Sequence, residues 1–136
     1  FNASDAFEVS DGNHLLNLAA GDYRITIDAT NDVTGDYAFR LLDPSDAETL
    51  TPGVPATATL ETGRETALFS FTASAGERYY FDHLGVDRGS PSWRLFDPLG
   101  RQVWSTSASA DVDVVSLAAT ARYLLFVEGR VSQPGA

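Results

Sequence analysis

The stretch that decides the fold class is Asp22-Tyr-Arg-Ile-Thr-Ile-Asp28, in which polar and apolar residues alternate. Successive side chains of a β-strand point to opposite faces, so this pattern places Tyr23, Ile25 and Ile27 on one face. No segment of the chain carries the apolar stripe of an amphipathic helix. The stretch therefore predicts a strand with one buried face.

A second alternating run, Tyr37-Ala-Phe-Arg-Leu41, follows a loop that contains Asn31, Asp32, Gly35 and Asp36. Two alternating runs separated by turn residues are typical of a β-hairpin. We therefore expect residues 22–28 and 37–42 to pair as an antiparallel hairpin.

Short strands and turns alternate along the rest of the chain. Five further runs have strand character: residues 66–71, 78–82, 92–96, 102–104 and 122–128. Between them, Asp97-Pro-Leu-Gly100 has Pro at the second position of a β-turn, where its fixed φ fits, and Gly at the last. This spacing predicts an all-β fold, an antiparallel, jelly-roll-like β-sandwich.

Composition excludes several classes of function. The 136 residues are 43% hydrophobic, which is enough for one domain with a core and unlike disordered proteins. The absence of cysteine excludes disulfides and thiolate chemistry. A formal net charge of −10 repels nucleic acid and anionic lipid. We therefore expect no nucleic-acid partner, and no apolar run is long enough for membrane insertion.

An internal repeat is the most informative feature. Leu18-Ala-Ala20 returns as Leu117-Ala-Ala119, and Tyr23 returns as Tyr123 after a one-residue insertion. Phe1-Asn-Ala-Ser4 likewise aligns with Trp104-Ser-Thr-Ser107. The period of about 100 residues is that of a domain.

The repeat predicts the domain organisation. Residues 1–46 would hold the end of one repeat, including the hairpin at residues 22–42, and residues 47–136 most of the next. The second repeat ends before its own counterpart of strand 37–42, which would leave strand 122–128 with an open edge. We expect residues 37–42 to complete that sheet, within the chain or by exchange with a second copy, so that one β-sandwich forms. The alternative is a separate half-domain at residues 1–46.

Four motifs in this order resemble a known family. They are Leu18-Ala-Ala-Gly-Asp-Tyr-Arg-Ile-Thr-Ile27, Thr34-Gly-Asp-Tyr-Ala-Phe-Arg-Leu41, Leu68-Phe-Ser-Phe-Thr-Ala-Ser-Ala-Gly76 and Trp93-Arg-Leu-Phe-Asp-Pro-Leu-Gly100. The pattern is similar to the bacterial pre-peptidase C-terminal domain and to the PPC-like tandem repeats of very large secreted or surface proteins. The resemblance implies a jelly-roll sandwich without enzymatic activity, in an extracellular accessory or adhesin-like role.

Candidate catalytic groups are few. His14 and His83 are the only histidines that could act as a base near neutral pH. The chain contains no nucleophile-elbow, zinc-protease or phosphate-loop motif. We therefore expect no catalytic residues, no bound cofactor and no enzyme activity; a Ser/His/Asp set assembled in space is the alternative.

Acidic residues supply candidate metal ligands. Asp28, Asp32 and Asp36 lie in or beside the predicted hairpin loop, and Asp111 and Asp113 share one face of an extended segment. Calcium takes six to eight oxygen ligands from such carboxylates and from loop carbonyls. Asp is also a common turn residue, so ordinary turns are the alternative interpretation.

The two tryptophans differ in their setting. Trp93 alternates with Leu95 and is expected to face the core, whereas Trp104 precedes a Ser- and Ala-rich loop and is expected to be partly exposed. Trp104 is therefore the candidate ligand-binding residue, by stacking on a sugar ring; packing at the rim of the core is the alternative.

These observations predict a non-catalytic extracellular or cell-surface repeat, acting as a spacer, adhesion or display module of a large exported bacterial protein. Its partners would be neighbouring repeats and extracellular polysaccharide or protein. The alternative function is an accessory binding module for polysaccharide or fibrous protein, attached to a secreted hydrolase.

Overall fold

A computed structural model describes residues 15–27, 34–61 and 65–129. Its strands are β1 (Glu48–Thr49), β2 (Thr66–Ala73), β3 (Arg78–Phe81), β4 (Ser92–Phe96), β5 (Gln102–Ser107), β6 (Val112–Ser116) and β7 (Ala121–Glu128). One turn of 3-10 helix, Pro44–Asp46, precedes β1. Within the described residues, no helix has the length and apolar character needed to cross a membrane.

Two sheets face each other. One has five strands in the order β1-β2-β7-β4-β5, and the other consists of β3 and β6. Every neighbouring pair is antiparallel except β1 with β2. The predicted all-β sandwich is confirmed.

The alternation of apolar residues located β2, β3, β4, β5 and β7, but it missed β1 and β6. β1 has two residues, too few for a pattern. In β6 the register shifts opposite Tyr79 and Phe81, so Val112 and Val115 both pack against the core although they lie three residues apart. A bulge of this kind removes the period of two on which sequence analysis relies.

The main core lies between the two sheets. β2, β4 and β7 contribute Phe71, Leu95 and Tyr123, all buried, and Tyr79 and Phe81 of β3 pack against them. The rings of Phe71 and Tyr123 stack with their centroids 5.8 Å apart. Alternate positions of the central strands therefore form the inner layer, as a sandwich requires.

The opposite face of the five-stranded sheet is also buried at its centre. All five residues of β4 are buried, which includes Arg94 and Phe96 on this outer face. Phe96 packs against Phe126 of β7 with ring centroids 4.8 Å apart. Arg94 donates from Nε to Glu128 Oε2 at 2.6 Å, so a desolvated ion pair lies beside this second apolar cluster.

The predicted turn at Asp97–Gly100 is confirmed. The Gly100 amide donates to the Asp97 carbonyl at 2.9 Å, and Gly100 has a φ of 79°. A residue with a Cβ would be strained at that φ, because positive values belong to the left-handed region. The Asp97 carboxylate also accepts hydrogen bonds from the Leu99 and Arg101 amides, which fixes the turn.

The predicted hairpin at residues 22–42 is not formed. Within residues 22–27 and 34–42 no strand is present, and Tyr23, Ile25 and Ile27 are 58%, 62% and 47% exposed. The loop residues 28–33, with Asp28 and Asp32, lie outside the described residues. Alternation defines an apolar face, but a strand also needs partners for its backbone groups, and neither run has a sheet beside it.

The predicted completion of the sheet by residues 37–42 is wrong. β7 pairs with β2 along its whole length and with β4 along residues 124–128, so both edges of this part of the strand are already occupied. Both neighbours come from residues 66–96, so β7 lies between two strands that precede it in the chain. The preceding segment contacts the sandwich elsewhere, through an Arg40–Glu65 ion pair at 2.9 Å and a hydrogen bond from Arg122 to the Pro44 carbonyl at 3.0 Å.

Candidate functional site

An aromatic cluster occupies one end of the inner core. Phe81, Trp93 and Trp104 meet edge to face, with centroid distances of 4.9 to 6.5 Å. β3 and β4 supply the first two as inward-facing residues, and Trp104 lies on β5 opposite Leu95. The imidazole of His83 packs on Trp93 with its centroid 6.4 Å away. Trp93 is buried in the core, as predicted, and Trp104 is half-buried.

Three ring nitrogens of this cluster are buried and have no hydrogen-bond partner: His83 Nε2, Trp93 Nε1 and Trp104 Nε1. Edge-to-face packing turns the positive edge of one ring, which carries the N–H group, towards the negative face of another. An N–H group directed at an aromatic face gains a weak hydrogen bond. These three nitrogens remain buried polar groups to which the described residues supply no conventional hydrogen bond.

Asp111 ties the end of β3 to the segment that precedes β6. Its carboxylate accepts hydrogen bonds from Tyr80 Oη at 2.6 Å and from the His83 backbone amide at 2.8 Å. The Tyr80 hydroxyl, followed by the His83 amide, lowers the pKa of Asp111 below its ordinary value. The same hydrogen bond raises the pKa of Tyr80 to about 12. The Asp111 carboxylate thus holds the Tyr80 side chain and the His83 backbone in place.

The other candidate metal ligands are dispersed or undescribed. Asp36 is exposed on the segment before β1, and the Asp113 carboxylate accepts a hydrogen bond from the Val114 amide. Asp28 and Asp32 lie outside the described residues, as does His14. In the described part of the chain, no group of three His, Asp or Glu residues is placed to hold a metal ion.

The Arg94–Glu128 pair is a charged feature that the sequence analysis missed. Burial raises the pKa of Glu128, and the neighbouring Arg94 guanidinium opposes this shift. Both side chains are more than nine-tenths buried. The sequence held one signal for this pair. Arg94 lies in a predicted strand, residues 92–96, whose other residues are apolar or small, and a charge buried in such a strand must be paired.

A cleft of about 1100 Å³ opens between the sheets beside this core. Loops 50–61 and 82–91 form its walls, and the aromatic residues at its base include Phe69, Phe71, Phe81 and Trp93. It is mainly apolar, and His83 lies at its margin among the loop residues. Phe69, Phe71 and Trp93 are buried, so the aromatic surface that a ligand would meet in this cleft belongs to the exposed Tyr80 and the half-buried Tyr79 and Phe81.

The most specific local feature is a tyrosine corner that occurs twice. At the start of β7, Tyr123 Oη donates to the Ala119 carbonyl and accepts from the Ala119 amide, both at 3.1 Å. In the preceding segment, Tyr23 Oη donates to the Ala19 carbonyl at 2.6 Å. A tyrosine that binds backbone a few residues upstream is a recurring device at the corners of β-sandwiches. Here the two corners share residue type and spacing, 100 residues apart.

Comparisons with known proteins give no relative on which to base a function. The sequence matches no family model, and no curated protein or solved structure is significantly similar to it.

Proposed function

We propose that this chain is a non-catalytic β-sandwich repeat of a large exported bacterial protein, acting outside the cell or at its surface as a spacer, adhesion or display module. The repeated tyrosine corner carries this proposal. In each corner the tyrosine binds the alanine four residues upstream, Ala19 or Ala119, and the one-residue insertion falls between the aligned Leu-Ala-Ala motif and the tyrosine. Two corners of this spacing are the expected result of tandem copies of one fold. The resemblance of the motifs to pre-peptidase C-terminal domains supports the same conclusion.

The hydrogen bonds and ion pairs of the described ionisable side chains support a structural role for the protein. The side chains with the shortest of these contacts hold strands and turns in place. Glu128 neutralises Arg94 beneath the outer face, and Asp97 organises the turn between β4 and β5. Asp111 accepts its hydrogen bond from the His83 backbone amide, and the imidazole packs edge to face on Trp93. A catalytic histidine requires a partner that orients its ring.

Activity assays test the non-catalytic part of the proposal. We expect no turnover of a panel of ester, peptide and glycoside substrates by the purified chain. The variants His83→Ala and His14→Ala are the controls for a contaminating enzyme. Turnover that either substitution abolishes would show that the chain is an enzyme.

The open reading frame around the chain tests the repeat. Many further sandwiches of this type would support a spacer or adhesin, whereas a single copy beside a peptidase or glycosidase domain would favour an accessory binding module. The aromatic cleft is the observation that favours that second function.

A pull-down with insoluble polysaccharides and with fibrous proteins tests the accessory function. If Trp104 contributes, Trp104→Ala should reduce binding, while Val103→Ala, on the opposite face of β5, should not. Equal retention of both variants would exclude Trp104 as a ligand-binding residue.

Calcium binding by the acidic loops remains a prediction. An ion that binds only the folded state raises the melting temperature, by an amount that grows with the logarithm of the ion concentration above its dissociation constant. We expect a modest increase that Asp36→Asn or Asp113→Asn reduces. A melting curve that stays unmoved up to several millimolar calcium would remove these residues as ligands.

A further inference from the structure

The segment Ala19–Ile27 has the same tyrosine corner as β7 and the same alternation of apolar residues, but within the described residues it is not paired with any strand. Its Tyr23 forms the same hydrogen bond as Tyr123, yet it is 58% exposed, whereas Tyr123 is 2% exposed. Ile25 is 62% exposed, whereas Leu125 is 6% exposed. Residues of the segment that lie at the same distance from Tyr23 as the inward residues of β7 lie from Tyr123 are therefore also apolar, but they face solvent.

β7 shows what surrounds such a strand. It forms eight residue pairs with β2 and five with β4, so both of its edges are hydrogen-bonded. Its inward side chains contact the aromatic core, as the stacking of Tyr123 on Phe71 illustrates. A strand of this type requires two flanking strands and an apolar layer beneath it.

We propose that residues 19–27 are the closing strand of a neighbouring β-sandwich of the same type. The partner is a polypeptide that supplies counterparts of β2 and β4 with free facing edges and an aromatic inner layer. Tyr23, Ile25 and Ile27 enter that core in the places of Tyr123, Leu125 and Val127. This inference rests on the repeat organisation proposed above, and it is independent of whether the module is catalytic.

The chain's own sandwich cannot be this partner. β7 already fills the position between β2 and β4, and a second copy of the chain is closed in the same way. The partner must therefore be a sandwich that lacks its last strand.

The outward positions indicate how the partner differs from the sandwich described here. β7 carries Leu124 and Phe126 on its outer face, and Phe126 packs against Phe96. The matching residues of the segment are Arg24 and Thr26, which suit contact with water. The partner's outer face is therefore solvated at this strand, as is common for antiparallel sheets.

An extended chain tests the inference directly. Because Phe1–Ser4 aligns with Trp104–Ser107, a second copy of residues 44–103 placed before Phe1 supplies the counterparts of β1 to β4 in the expected order. In that copy Phe96 is replaced by Thr, so that its outer face suits Arg24 and Thr26. Amide hydrogen exchange at residues 23–27 is then compared between the extended and the original chain. We expect exchange to slow by about 100-fold or more in the extended chain, as for strands within a cooperative core. Unchanged exchange at these amides would overturn the inference.

A matched pair of substitutions tests which side chains of residues 19–27 point into the partner's core. In the extended chain, Ile25→Arg should restore fast exchange at residues 23–27, whereas Thr26→Arg should not, because position 26 points outward. In the original chain neither substitution should move the melting temperature. Equal effects of the two substitutions in the extended chain would contradict the proposed register. Detection of enzymatic turnover would affect only the proposed function, since neither exchange measurement depends on catalysis.

Discussion

Two stretches of this chain begin with the same tyrosine corner and continue with an apolar residue at every second position, but one is a central strand and the other is exposed. β7 is bonded along both edges, and its inward side chains are buried. In residues 21–27 the corresponding side chains are about half exposed or more, and no strand is present. Alternation therefore specifies which face a segment can bury, and the partner strands determine whether it does so.

The largest expected effect is the difference in stability contributed by the buried ion pair that includes Glu128 of β7 and the exposed pair that includes Arg40 of the segment before β1. Arg94→Ala leaves Glu128 buried without its partner, and removal of one member of a buried pair costs about 3–5 kcal/mol of unfolding free energy. Arg40→Ala removes the exposed Arg40–Glu65 pair and should leave the unfolding free energy nearly unchanged. Urea unfolding of the two variants measures both.

A double substitution separates packing from charge at this site. Arg94→Met combined with Glu128→Leu should recover much of the stability that Arg94→Ala loses, because both charges are then absent. A loss as small for Arg94→Ala as for Arg40→Ala would mean that the buried pair is accessible to water.

Substitutions at Leu125 of β7 and at the corresponding Ile25 should differ almost as much in their effect on the unfolding free energy. Leu125→Ala creates a cavity between the sheets and should cost about 2–5 kcal/mol. Ile25→Ala, at the corresponding exposed position, should change the stability of the same chain by less than about 0.5 kcal/mol. Thermal or urea unfolding decides this, and equal losses would show that residues 19–27 are packed in the isolated chain.

The sequence contained part of this distinction. Tyr123-Leu-Leu-Phe-Val127 is a continuous apolar run, which is typical of a strand buried on both faces, whereas residues 22–28 alternate cleanly. The positions of β2, β3, β4, β5 and β7 and the turn at Asp97–Gly100 followed from local patterns, whereas the strands predicted at residues 22–28 and 37–42 are absent from the described residues. The pairing of β7 with both β2 and β4 did not, because partner choice depends on contacts between residues far apart in the chain.

The candidate site was less predictable than the fold. The inward direction of Trp93 followed from its alternation with Leu95. The bond from the His83 amide to Asp111 joins residues 28 apart, and no local pattern encodes it. The ion pair of Arg94 with Glu128 joins two strands whose adjacency had not been predicted.

The two tyrosine corners allow a finer comparison. Tyr123→Phe removes a hydroxyl that both donates to and accepts from Ala119, and should cost about 0.5–1.5 kcal/mol. Tyr23→Phe removes an exposed hydrogen bond and should have a smaller effect on the unfolding free energy. In the extended chain described above, the effect of Tyr23→Phe should rise to that of Tyr123→Phe. A small effect in both contexts would mean that residues 19–27 do not close a sandwich.

The smallest expected effect is a dependence of stability on pH that arises from carboxyl groups of the sandwich. Hydrogen bonds, first from Tyr80, lower the pKa of Asp111, and hydrogen bonds, first from the Ser74 amide, lower that of Glu77. A carboxyl group whose pKa is lowered by folding stabilises the protein above its unfolded value, here 3.8 for Asp and 4.5 for Glu, and this stabilisation is lost as the pH falls through the folded value. The raised pKa of Glu128 acts in the opposite sense, because its contribution is present at low pH and is lost as the pH rises through the folded value.

We therefore expect a melting temperature that is flat near neutral pH and falls in acid. Tyr80→Phe should lower the melting temperature slightly at neutral pH and make the acid decline shallower, because it removes the main cause of the Asp111 shift. An acid decline identical in Tyr80→Phe and the original chain would show that the Tyr80–Asp111 hydrogen bond does not contribute to stability.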